Sequence, residues 1–73
     1  MGVSYPRFFS RVDTRETING YHIGYHPGDG RWYVIVADGV GGLYRAVSRG
    51  HERRADACDD ARERPRHAPQ GGN

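Results

Sequence analysis

Lysine is absent from this chain of 73 residues, and all 11 basic positions are arginine. Nine acids oppose them, so the formal net charge is only +2. Dedicated nucleic-acid binders carry clustered basic residues rather than a near-balanced set, so charge alone excludes a strongly basic polyanion binder. The exclusive use of arginine reads as a GC-rich coding bias. Arginine would still suit bidentate phosphate or carboxylate contacts. Cysteine occurs once, at Cys58. That excludes an internal disulfide and a multi-cysteine zinc site, and it fits a reducing compartment. No stretch is apolar for the ~18–20 residues a membrane helix needs. The opening MGVSYPRFFSR has no apolar core of a secretory signal. A soluble cytoplasmic protein without a membrane partner is therefore expected. Large apolar residues are also scarce, with one Trp, two Phe and one Met. A domain of this size buries only about 60% of its unfolded surface, so the core must be thin, and a homodimer is one way to thicken it.

What is present alternates. Asn19–Gly20 is a turn signal. After it Tyr21, Ile23 and Tyr25 alternate with His22, Gly24 and His26, the period of a half-buried strand. Pro27-Gly28-Asp29-Gly30 has the composition of a hairpin loop. The run RWYVIVA, Arg31 to Ala37, is aromatic and β-branched nearly throughout, which suits a central strand. Asp38-Gly39-Val40-Gly41-Gly42 predicts a second hairpin loop and Leu43–Ser48 a third strand. From Glu52 to Arg64 there is no glycine or proline. Ala57, Cys58 and Ala61 make a narrow stripe at helical spacing. Glu52 and Asp56 near the start and Arg62 and Arg64 near the end suit the helix dipole. Pro65 ends the helix.

The fold expected is α+β: a three-stranded antiparallel β-meander followed by one C-terminal α-helix. Residues 1–18 are an N-terminal segment, a loop or short turn packing on the sheet, with Phe8 and Phe9 closing an edge of the core. Asp13 and Glu16 have the form of a capping box, but no periodic run follows them. Residues 19–64 are the βββα domain and 65–73 a flexible tail. One helix covers one sheet face. Trp32, Val34, Val36, Leu43 and Val47 are expected beneath it, leaving Tyr33, Ile35 and Tyr44 on an open face, joined by Tyr21 or His22 according to register. That face is either covered by the Phe8–Phe9 segment, paired with a second copy, or used to bind another molecule.

No catalytic, metal or cofactor site is expected. His22 and His26 are four apart, about 13 Å along a strand, too far to share one ion. Cys58 falls on the buried stripe, where it acts as a small apolar residue. The glycine loops DGVGG and PGDG join strand to strand, whereas a phosphate loop joins strand to helix. Two charged groups remain as binding candidates. Arg45, Arg49, Arg53 and Arg54 form a basic patch between the third strand and the helix start. Asp56, Asp59, Asp60 and Glu63 form an acidic ridge interleaved with arginines, at spacings that allow helical ion pairs of about 0.2–0.5 kcal/mol each.

The run GDGRWYVIVADGVGGLYRAVSRGHERRADACDDARER resembles the small YegP-like domains of unknown function over about half the chain. The helix entry Gly50-His51-Glu52-Arg53-Arg54-Ala55-Asp56-Ala57 carries the likeness, with His51 in the place of their aromatic and Arg53 in that of their capping Ser/Thr. Similar strand–strand–strand–helix units are the DNA-binding arm domains of phage-type integrases. The resemblance implies a fold and no activity. The expected function is that of a small non-enzymatic binding protein acting by protein–protein contact. Its class would be phage or mobile-element accessory proteins that inhibit a host defence or nucleoprotein complex, as anti-CRISPR proteins do. The alternatives are a nucleic-acid-binding βββα module and a homodimeric structural protein.

Overall fold

The computed structural model describes residues 9–12, 16–37 and 43–67. Its elements are β1 (Arg11–Val12), β2 (His22–His26), β3 (Arg31–Ala37), β4 (Tyr44–Ala46) and α1 (Arg54–Glu63). The strands form one antiparallel sheet in the order β1-β2-β3-β4. The α+β class and the meander stand, but the sheet has a fourth strand. It comes from the N-terminal segment, where Arg11 and Val12 pair with Tyr25 and Gly24. A two-residue strand has no periodicity to announce it.

Two turns set the register. Asn19 and Gly20 both have positive φ, 58° and 86°, the pattern of a type I′ turn, for which Asn-Gly is the preferred pair. Ile18 and Tyr21 exchange both backbone hydrogen bonds across it, at 2.8 and 2.9 Å. In the next loop the Asp29 carboxylate accepts the Arg31 N–H at 3.0 Å and the Tyr33 hydroxyl. It also faces His26 Nδ1 at 3.3 Å. Gly30 supplies the left-handed residue that closes the hairpin.

The central strand β3 separates two cores. On one face Val34 and Val36 meet Tyr21, Ile23 and the helix stripe Ala57, Cys58 and Ala61, with Ile18, Trp32 and Val47 at the margin. On the other, Tyr33, Ile35 and Ala46 pack with Phe9, Val12 and Tyr44. The division of side chains between faces follows the alternation of the sequence, but the second face is not open. Tyr33 is 6% and Ile35 0% exposed, because Phe9 and Val12 lie over them. Leu43 is also corrected. Expected on the helix side, it is 47% exposed, because α1 packs on β3 and β2 and does not reach β4.

β4 does not end as a simple edge. Ile35 pairs with Ala46, yet Trp32 pairs with His51. Three steps along β3 thus correspond to five along the facing chain, so residues 47–50 form a two-residue bulge. Ser48 turns inward there and is buried. Its Oγ accepts the Val34 N–H at 2.9 Å and donates to the Arg49 carbonyl at 2.9 Å. Beyond the bulge, the reciprocal Trp32–His51 bonds of 2.8 and 2.7 Å deliver the chain to the helix start.

Candidate functional site

The bulge and the helix entry enclose the surface with the most concentrated chemistry. A depression of about 370 Å³ is lined by Arg31, Arg49, Gly50, His51, Glu52 and Asp56. Its floor is Gly50. A Cβ there would stand 2.7 Å from Arg31 Cδ and 2.9 Å from the Tyr33 hydroxyl, so only glycine lets Arg31 and the bulge approach each other. Arg31 comes from the end of the first hairpin, Arg49 from the bulge, and Glu52 and Asp56 from the helix entry. Both signs of charge therefore share one concavity.

The rim is held by a second network. His51 Nε2 stands 2.8 Å from Asp60 Oδ2, and because a carboxylate only accepts, the imidazole donates. Arg64 Nε donates to Asp60 Oδ1 at 2.7 Å. One carboxylate thus ties the bulge to the far turn of α1. Burial raises the Asp60 carboxyl, but the hydrogen bonds from His51 and Arg64, with the Arg64 and His51 charges, outweigh it and hold its pKa below the ordinary value. Arg53 stands at the N-cap without a side-chain cap bond, so the entry to α1 is tied down by this latch along the helix side rather than by a cap.

The predicted site residues fare unequally. Tyr33 and Ile35 are interior, and Tyr44 is half-buried with its ring edge-on to His22 at 5.4 Å. Of the basic patch, Arg49 lines the depression, and Arg53 and Arg54 are exposed at the helix start. Arg45 is exposed on β4 opposite Val36, on the other side of the bulge. Of the acidic ridge, Asp56 enters the depression, Asp59 pairs with Arg62 at 2.9 Å on the exposed face, Asp60 is the latch, and Glu63 is exposed. Sequence reasoning missed Arg31 and Gly50. The adjacent Arg49–Gly50 marked only a strand end, and no local pattern shows that a bulge folds it against Arg31.

Two of the described nucleophile-bearing residues lie inside. Cys58 is buried in the helix-side core, and the Ser48 hydroxyl is bonded on both sides. Among the described residues no group of three or more His, Cys, Asp or Glu is placed to hold a metal ion, and no helix is long and apolar enough to cross a membrane. Comparison with family models, with curated proteins and with solved structures finds no match for this chain.

Proposed function

We propose that this chain is a small non-enzymatic binding protein that acts by protein–protein contact through the depression at the bulge and helix entry. The carrying observation is that Arg31 and Arg49 share that concavity with Glu52 and Asp56. A phosphate backbone would meet two carboxylates there and be repelled. A protein surface can answer each charge with its opposite, and such complementarity selects partners and fixes register. Both sheet faces are covered by the chain's own residues, which favours this rim and the charged helix face for protein contact. The role we attach to it is that of an accessory inhibitor of the anti-CRISPR kind, blocking a charged surface of a host defence or nucleoprotein complex in the cytoplasm.

The test is capture from host-cell lysate followed by reconstitution from purified components. A complex of fixed stoichiometry is expected, weakened about tenfold or more by R49E and by D56R, since reversal leaves a like-charge contact at the interface. A reconstituted partner that binds both variants as tightly as the parent rules this surface out. The alternative, a nucleic-acid module, draws on the juxtaposition of Arg31 and Arg49. It requires a gel shift that weakens steeply across a salt series, and no shift at low salt ends it.

A further inference from the structure

A second concavity lies away from the first, between the Asn19–Gly20 turn and the chain that follows α1. It has a volume of about 320 Å³ and is lined by Thr17, Gly20, His22, Arg66 and His67. Its chemistry differs in kind from that of the bulge depression, because none of the described residues that line it is a carboxylate. Every polar side chain in it can donate a hydrogen bond: one hydroxyl, one permanently charged guanidinium and two imidazoles. We propose that this pocket binds a phosphoryl group.

The pocket is built by the fold. Asn19 Nδ2 donates to the carbonyls of Ala61, at 3.3 Å, and of Arg64. The Tyr21 hydroxyl donates to the Pro65 carbonyl at 2.8 Å, and the His67 N–H to the Asn19 carbonyl at 3.0 Å. The His67 ring packs on the Tyr21 ring with centroids 5.4 Å apart. These contacts fix the backbone on either side of Arg66 and the ring of His67 before any ligand arrives, so binding does not have to order that segment. Gly20 keeps the wall free of a side chain: its φ is +86°, and a Cβ there would collide with the His67 carbonyl.

A guanidinium beside a hydroxyl and imidazole N–H donors is a lining that suits a charged oxyanion. Arginine meets a phosphoryl group with two parallel N–H donors, and charge-assisted bonds of this kind are the strong ones. The volume sits at the low end of the range for ligand sites, about 300–1,000 Å³. That admits inorganic phosphate or the phosphoryl group of an ester. The site uses none of the residues of the bulge depression and stands or falls independently of it.

The experiment is an NMR titration of the full chain, following the ring resonances of its four histidines. Sodium phosphate is added at constant pH against sodium chloride at matched ionic strength, with adenosine monophosphate as a parallel arm. Saturable movement of His22 and His67 is expected with phosphate, with His26 and His51 still. Arg66 is exposed, so R66Q retains the fold. It should weaken binding about tenfold, the loss of one charge-assisted hydrogen bond. R62Q, on the exposed helix face, should leave binding unchanged, and H22N should weaken it as R66Q does. Tighter binding of the nucleotide assigns an esterified phosphoryl group, and equal binding assigns the free anion. Equal movement with chloride, or phosphate binding indifferent to both R66Q and H22N, overturns the proposal.

Discussion

The Ser48 hydroxyl sits between the Val34 N–H and the Arg49 carbonyl, 2.9 Å from each, and completes the sheet where the facing backbone swings away. Val34 is fully buried, so no water can replace that acceptor. Ser48→Ala leaves a buried donor unsatisfied and is expected to cost about 1–3 kcal/mol. Urea unfolding should show a lower midpoint at unchanged slope. An unchanged midpoint would mean that the bulge relaxes to satisfy Val34 another way.

Asp60 makes the latch dependent on acid. Its carboxyl is raised by burial but, on balance, lowered by the bonds and charges of His51 and Arg64. A carboxyl with a depressed folded pKa contributes stability that is present above its unfolded value, near 3.8, and lost as pH falls through the folded value. The parent should therefore lose stability steadily below about pH 4. Asp60→Asn should be less stable near neutrality and should show a shallower acid loss. Some loss remains in that variant, because the Asp29 pKa is also lowered: burial raises it, and the bonds from Tyr33, Arg31 and His26 outweigh that. Thermal unfolding between pH 3 and 7 reads both effects.

Tyr33 gives the opposite window. Burial, then its hydrogen bond to Asp29 and that group's charge, push the phenol up to about 12. The raised pKa contributes stability that is complete below the ordinary value of 10.0 and is lost as pH climbs toward 12. Spectrophotometric titration of the five tyrosines should show one late phase, absent in Tyr33→Phe. That variant also frees the Asp29 carboxylate and should loosen the β2–β3 hairpin, seen as faster amide exchange at Gly30 and Arg31.

Asn19 combines two roles that substitutions separate. Its backbone is left-handed, φ 58°, and its side chain holds the Ala61 and Arg64 carbonyls. Asn19→Gly keeps the conformation and loses the side-chain bonds. Asn19→Ala loses both, and left-handed alanine costs about 1–2 kcal/mol more. Alanine should therefore be the more destabilising replacement, by a margin visible in chemical denaturation. Equal losses would show that the backbone requirement is weak.

How much of this was legible depends on the length scale of each signal. Arg31–Ala37 was readable because five consecutive strand formers, Trp32–Val36, between two glycine-rich stretches allow little else. The facial split of Trp32, Val34 and Val36 from Tyr33 and Ile35 followed from period two. The helix was readable from its small-residue stripe and Pro65, though it is shorter than the Glu52–Arg64 expected. Long-range features were readable only as alternatives or not at all. Cover of Tyr33 by Phe9 was one of three alternatives, because choosing among them depends on where a two-residue strand docks. Leu43 is exposed because α1 lies over β2 and β3, a placement that alternation along one strand cannot encode. The site suffered most, since Arg31 and Arg49 line one depression only through a bulge whose buried Ser48 resembles any surface serine in the one-letter code. Residues 65–67, expected in a flexible tail, are docked by Asn19 and Tyr21. The loop Asp38–Gly42, the pair Asp13 and Phe8, and the remainder of the tail fall outside the described residues.

The clasp of Asn19 and Tyr21 on the backbone after α1 joins positions more than 40 apart in the chain. A helix terminus ordinarily frays independently of the rest of a molecule, but here the last turn cannot unwind without releasing the first hairpin. Slow-exchanging amides in that turn would then serve as a gauge of whole-molecule opening.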